Sequence, residues 1–198
     1  MTAAPQYKLN SDIQIHPAAT PELQRQVYQL RYQVFSQELG DTRWANEVQK
    51  TYQDPYDNKR SILLMATQNQ QTIATVRGIF RREGEYLSDA PFNFEKLATR
   101  FCKPVKHIKE HTCFVTRAAV LAPFRRQGLC EQLYCQLEDI AIAQGAKYCI
   151  ADVASNKPHV QQLFLQQGFQ RYQHKVAFTN NNAIQPETWL GDFFVKEI

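Results

Sequence analysis

Residues 125–128, Arg125-Arg126-Gln127-Gly128, place two guanidinium groups beside a glycine. An apolar, partly β-branched run precedes them (Val115, Thr116, Val120, Leu121), and Leu129, Leu133, Leu137 and Ile140 come after them at helical spacing. The pattern predicts a buried strand, a basic turn and a helix N-terminus, with Pro123 ending the strand because it has no backbone donor. The first N–H groups of a helix are unpaired and lie at the positive end of its dipole, so an anion is favoured there. Two arginines add charge-assisted donors. The chemistry of such a turn is diphosphate binding, although a basic turn taken alone is an ordinary surface feature.

A second set of charged residues lies elsewhere. Residues 41–60 show no hydrophobic period and contain Trp44 and the cluster Asp54-Pro55-Tyr56-Asp57. Twenty irregular residues in a compact domain indicate a functional loop or an unrecognised helix, while Asp-Pro is also a common turn opener. Arg77 and Arg117 sit inside apolar strand-like runs. A buried arginine needs a partner, so both are expected in a charge network, structural or catalytic. Arg31 and Phe35 are four apart and share a helical face. Arg31 could equally snorkel or pair at the surface. Asp152, at the end of a strand, is a further carboxylate candidate.

The elements that must position these residues can be read in turn. Residues 7–15 predict a short first strand. Thr20-Pro21-Glu22 is a helix start, and Leu23, Val27, Leu30, Val34 and Leu39 carry the helical period to Gly40. Residues 61–67 and 72–80 predict a hairpin around Asn69-Gln70-Gln71. Asn93 caps a short helix with Phe94, Leu97 and Phe101; residues 103–111 are polar, basic and irregular, a solvated loop or a docking patch for an acidic carrier protein. After the central helix, ending at Gly145, come a strand over 147–153, a helix over 158–167 closed by Gly168, and strands over 169–177 and 188–195 with Asn180-Asn181-Asn182 between them. The order β-α-β-β-α-β-α-β-α-β-β predicts one mixed α/β domain spanning 1–198.

The 198 residues suffice for one domain with a proper core. The formal charge of +4 admits an anionic ligand but does not mark a nucleic-acid binder. No apolar run reaches the roughly 20 residues that span a bilayer, and residues 1–10 lack the features of a signal peptide. Five cysteines without CxxC spacing predict buried thiols in a reducing cytoplasm, with no metal site. Cys130 and Cys135 read as helix-packing thiols and His159 as a structural donor.

Arg125-Arg126-Gln127-Gly128-Leu129-Cys130 resembles the Gln/Arg-x-x-Gly-x-Gly/Ala signature of GNAT acyltransferases, with Cys130 where a smaller residue is usual. The downstream segment Asn156-Lys157-Pro158-His159 through Leu163-Phe164 to Gly168-Phe169 resembles that family's next motif, and the two together cover roughly residues 113–170. Leu30-Arg31-Tyr32-Gln33-Val34-Phe35 through Glu38 to Gly40 is similar to the long-chain N-acyltransferase branch, which includes autoinducer synthases, N-acyl amino acid synthases and ornithine N-acyltransferases. Asp54, Asp57, Arg77 and Thr116-Arg117 fall in the order of that branch's charged residues, while Phe114 stands where autoinducer synthases carry glutamate.

The resemblance implies a GNAT fold, a mixed, mostly antiparallel sheet flanked by helices, and transfer of an acyl group from a phosphopantetheine thioester to a small-molecule amine such as an amino acid. It implies acyl-CoA or acyl carrier protein as donor and co-substrate, with no permanently bound cofactor. Ala118, Ala119, Val120, Arg125, Arg126, Gln127, Gly128, Leu129, Cys130 and Asn156 would hold the thioester; Asp54, Asp57, Arg77 and Arg117 would be catalytic; Arg31, Phe35 and Trp44 would meet the acceptor. Leu163 or Phe164 occupies the place of a tyrosine that in many relatives protonates the leaving thiolate. That substitution keeps two alternatives open: an acetyl-CoA-dependent small-amine acetyltransferase, and a catalytically silent domain that binds acyl thioesters.

Arg125→Ala is expected to weaken thioester binding by about 1–3 kcal/mol, the worth of a charge-assisted hydrogen bond. Calorimetric titration checks it, and unchanged affinity with an intact fold would refute the assignment.

Overall fold

The structure, a computed structural model, describes residues 12–57, 61–80, 92–180 and 187–198. The expected start of the first strand at 7–11, residues 58–60 of the irregular segment and residues 181–182 of the last turn lie outside them. The fold is mixed α/β, with mostly antiparallel strands flanked by helices, as expected. The chain forms two compact units, Met1–Ile79 with Val115–Asp139, and Phe80–Phe114 with Ile140–Ile198.

In the first unit, β1 (Ile13–Pro17), β4 (Ser61–Gln68), β5 (Gln71–Phe80) and most of β6 (Thr112–Val120) lie side by side in that order. The β4–β5 hairpin was legible in sequence. Asn69 and Gln70 both adopt positive φ, the two-residue turn whose twist matches that of the strands. Helix α1 (Pro21–Arg31) starts where the capping signal lies, with Thr20 Oγ1 accepting the Leu23 N–H at 3.3 Å. It packs Val27 and Tyr28 against Leu63 and Met65 of β4.

The expected single helix to Leu39 is not what forms. At Tyr32 the chain widens into a π-helix, Tyr32–Glu38, closed by Gly40 at φ +72°. The 3.6-residue period no longer governs which face is buried; Val34 remains in the core, whereas Leu39 is 55% exposed. Residues 41–57 are not wholly irregular either. A two-residue pairing joins β2 (Ala45–Asn46) to β3 (Thr51–Tyr52), and Asn46 Oδ1 accepts the N–H groups of Val48 and Gln49 at 3.1 and 2.9 Å. Pairs this short leave no hydrophobic period to detect.

In the second unit, β7 (Tyr148–Ala154) pairs with β9 (Glu187–Glu197), which pairs with β8 (Gln170–Asn180), both antiparallel. Its core is aromatic: Phe92 contacts Phe94, Phe114, Tyr172 and Phe193, while Phe164 stacks on Phe194. Residues 103–111, expected to be irregular, contain a short helix, α3 (Val105–Glu110), after Pro104. Ile108 alone anchors it in the core, too little for a periodic signal. Helix α2 (Phe94–Phe101) has the predicted cap, Asn93 Oδ1 accepting the Lys96 N–H at 2.7 Å. The central helix, α4 (Leu129–Ala143), and α5 (Pro158–Gln166) agree with the sequence reading. Strand β8 slips register twice between Arg171 and Val176; there the fully buried Asp192 carboxylate accepts from Ser155 Oγ at 2.8 Å and from the Lys175 N–H at 2.9 Å. Of the cysteines, Cys113 and Cys149 are buried as expected, but Cys102 and Cys135 are exposed.

Asn93→Ala is expected to cost about 1 kcal/mol of stability through loss of the α2 cap, measured by denaturant unfolding. A change within experimental error would show that the Asn93 side chain contributes no net capping.

Candidate active site

The charged residues singled out in the N-terminal half converge on one buried network in the first unit. Arg77, on β5, grips Asp54 with Nη1 at 2.5 Å from Oδ1 and Nη2 at 3.1 Å from Oδ2, and its Nε donates to Thr116 Oγ1 at 3.1 Å. Arg117 donates from Nε to Asp54 Oδ2 at 2.6 Å. Arg77 Nη1 also lies 2.9 Å from Asp57 Oδ1. Arg31, the last residue of α1, donates from Nη1 to both Asp57 oxygens at 2.8 and 3.0 Å.

The loop carrying the two carboxylates is braced by them. Asp54 Oδ1 accepts the Tyr56 N–H at 2.9 Å, and Asp57 Oδ2 accepts the Asp54 N–H at 3.1 Å. This is the turn chemistry that Asp-Pro sequences favour, so the structural and functional readings of the pair coexist. Burial alone would raise the Asp54 carboxyl, but the Arg77 and Arg117 guanidinium groups outweigh it and hold the group well below the usual carboxylate range. Arg31 is 0% exposed, and burial lowers its pKa against the opposing pull of Asp57. Its Nε and Nη2 have no hydrogen-bond partner among the described residues.

Tyr28, whose ring centroid is 5.9 Å from the Arg31 guanidinium, and Asp57 both line a cavity of about 630 Å³, with Pro17, Gln24, Gln53 and Ser61 among the other walls. Tyr28 could have been found from its position three residues before Arg31 on the same helical face. Phe35 packs on Tyr52 with centroids 5.1 Å apart and joins the cluster of Leu30, Val34, Ala119 and Leu121. Burial raises the Tyr52 hydroxyl above its ordinary value, so it stays neutral and donates to Asp41 at 2.8 Å. Trp44 is half-buried, its carbonyl accepting the Gln53 N–H at 3.2 Å.

The basic turn lies in the same unit. After β6 the chain makes one 3₁₀ turn, Ala122–Phe124, and Arg126 and Gly128 adopt φ of +62° and +78° before α4 begins. Left-handed residues ahead of a helix N-terminus point backbone N–H groups at one spot, a geometry that suits phosphate. Arg126 is exposed; Gln127 folds back, its Nε2 donating to Pro123 O at 3.0 Å. Arg125 donates from Nε to Val120 O at 2.9 Å and from Nη2 to the Glu38 carboxylate. The Val120 carbonyl is therefore engaged, whereas Ala118 is half-buried and Ala119 packed in the core. Arg117 stands at φ +54° inside β6, an irregularity that re-aims its side chain toward Asp54. Burial pushes the Cys130 thiol up to about 12, which keeps it protonated. Asn156 and Asp152 are exposed in the second unit, and Phe164 is buried there against Phe169 and Phe194. No group of three or more His, Cys, Asp or Glu suited to a metal ion occurs among the described residues, and no described helix is long and apolar enough to cross a membrane.

Residues 25–169 match the model of the acetyltransferase (GNAT) family. Among solved structures the chain is similar to a CoA-dependent acyl-homoserine lactone synthase, BjaI, with SAM and isopentyl-CoA: TM-score 0.62, 18% identity, covering 92% of this chain and 82% of that one. It is also similar to the GNAT domain of S. lividans PAT (TM-score 0.59, 14% identity, 94% and 90% covered) and to Arabidopsis thaliana NAA60 in complex with acetyl-CoA (TM-score 0.59, 13% identity, 94% and 98% covered). At these identities the likeness is one of fold. No curated protein matches the sequence.

Asp54→Asn leaves Arg77 buried and Arg117 partly buried beside a neutral group and is expected to destabilise the fold by about 3–5 kcal/mol at pH 7. Because the folded-state pKa of Asp54 lies below its unfolded value near 3.9, its contribution is complete above about pH 4 and drains away as pH falls toward the folded value. Denaturant unfolding across pH should therefore show the gap between wild type and variant narrowing below about pH 4; a constant gap would contradict the assignment.

Proposed function

The chain belongs to the acetyltransferase (GNAT) family and is an acyltransferase, and on that premise we propose that it moves an acyl group from a phosphopantetheine thioester to the amine of a small molecule bearing a carboxylate, such as an amino acid. The donor is acyl-CoA or acyl carrier protein. The family match runs across both units, which supports reading 1–198 as one GNAT domain. The observation that carries the acceptor is Arg31. Its Nη1 is spent on Asp57, while Nε and Nη2, which together form the side-on fork of a guanidinium, have no partner among the described residues. An arginine stays charged at any accessible pH, and each unsatisfied buried donor costs about 1–3 kcal/mol. One carboxylate, bound by both nitrogens, satisfies the fork. The adjacent cavity of about 630 Å³ is large enough for an amino acid, and Tyr28, which lines it 5.9 Å from the Arg31 guanidinium, must turn aside for a carboxylate to reach the fork.

In the reaction the amine nitrogen attacks the thioester carbonyl carbon. A C–N bond forms, the C–S bond breaks, the amine loses a proton and the departing thiolate gains one. The turn at 125–130 with the N-terminus of α4 takes the phosphate, and the backbone of Ala118 and Ala119 takes the pantetheine arm. Asn156, which the family resemblance also assigns to the donor, is exposed in the second unit. Phe35 and Trp44 help to shape the acceptor side. Asp54 and Asp57 have their oxygens committed to arginines and backbone N–H groups, and Asp54 is too weak a base to take an ammonium proton. Their part is to fix Arg77 and Arg117 beside the reacting centre, so that preorganised positive charge meets the developing oxyanion. Acceleration then comes from positioning and electrostatics, and the amine reacts as its neutral fraction.

Three measurements test this. Thiol release across thioesters of graded chain length and a panel of amines should occur with amino acids and fail with their carboxamides; no release with any amine despite thioester binding would establish a silent domain, and release with simple amines only would favour the small-amine acetyltransferase. The log rate should rise with pH up to the pKa of the acceptor amine, not level off in the carboxylate range. Arg31→Lys keeps the charge but loses the fork, and should raise the acceptor KM about 10- to 100-fold, equivalent to about 1.4–2.7 kcal/mol, with the donor KM unchanged.

A further inference from the structure

The first arginine of the basic turn is already engaged by a carboxylate from far away in sequence. Glu38, the last residue of the π-helix, accepts from Arg125 Nη2, while the Val120 carbonyl at 2.9 Å from Nε fixes the plane of the guanidinium. The contact links residues 87 apart. Its side chains are 35% and 44% exposed, so an incoming anion can reach both. A carboxylate and a phosphate are alternative acceptors for the same guanidinium edge. With Nε held by the backbone, a phosphate that takes Arg125 must displace Glu38 from Nη2 or sit against its negative charge.

We propose that Glu38 is a specificity-determining residue on the donor side, an internal anion that competes with the donor's phosphate for Arg125 and disfavours donors in proportion to the phosphate charge they bring to the turn. This rests on reading residues 125–128 as the phosphate site. The ranking comes from Coulomb's law at an exposed, water-screened site. Free coenzyme A, with its pyrophosphate and ribose phosphate, meets the greatest opposition. A phosphopantetheine arm with a single phosphodiester, as on a carrier protein, meets less. Pantetheine, which has no phosphate, is indifferent to Glu38.

The test is calorimetric titration of wild type, Glu38→Gln, Arg125→Ala and the double variant with coenzyme A, 4′-phosphopantetheine and pantetheine. Glu38→Gln should bind coenzyme A about two- to five-fold more tightly, the range expected of an exposed ion pair. It should bind 4′-phosphopantetheine tighter by a smaller factor and pantetheine unchanged. The gain should shrink as salt rises and vanish in the Arg125→Ala background. Weaker or unchanged coenzyme A binding by Glu38→Gln, where Arg125→Ala still impairs it, would overturn the role of Glu38, the former by showing that Glu38 orients Arg125 for the phosphate. If Arg125→Ala binds all three ligands as wild type does, the phosphate reading of the turn fails, and the competition proposal with it.

Discussion

The Asp54 carboxylate is the point at which the first unit is tied together. It is almost fully buried and holds two arginines from neighbouring strands, Arg77 on β5 and Arg117 on β6, while bracing its own loop through the Tyr56 N–H. Removing Arg77 from water, and Arg117 in large part, is costly, and only close, well-directed counter-charges repay it. The loop at 53–57 is therefore fixed by the strands, and the strands' charged side chains are fixed by the loop. Asp57 extends the same logic to α1 through Arg31. Helix, loop and two strands then share one electrostatic joint, and a shift in any of them unpairs a buried charge.

A joint of this kind suits a reaction that demands little proton chemistry. Amine attack on a thioester needs the two reactants aligned and the carbonyl oxygen stabilised as charge builds. In the mechanism proposed above, a carboxylate with depressed pKa and no spare lone pair serves not as a base but as the counter-charge that keeps guanidinium groups aimed. Leu163 or Phe164 stands where many relatives carry a proton-donating tyrosine, and neither side chain can donate a proton. The Phe164 ring packs in the aromatic core with Phe169 and Phe194.

Much of the fold was legible because local chemistry and periodicity agreed. The Asn69-Gln70 hairpin, the Thr20 and Asn93 caps and the Leu129–Leu137 helical face each have a short-range cause. The charged network was legible in part: arginines inside apolar strands require partners, and the order of Asp54, Asp57, Arg77 and Arg117 carried a family resemblance. The partner assignments were not, because they depend on strand register and on a loop with no period. Glu38 and Arg125 stand in separate elements with nothing in either local pattern to pair them. Helix α3 escaped notice because it buries Ile108 alone, and the π-helix escaped because regular spacing predicts only regular helices.

The π-helix has a further consequence. An α-helix advances about 100° per residue, so the wider coil between Tyr32 and Glu38 sets the angular phase between the chain segments on its two sides. Arg31 faces the core from the regular turns, and Phe35 and Glu38 take their directions from the widened ones. Segment length thus works like a gear tooth. One residue removed from the widened segment would turn Glu38 by about 100° relative to Arg31, so the contact between Glu38 and Arg125 depends on the length of this segment.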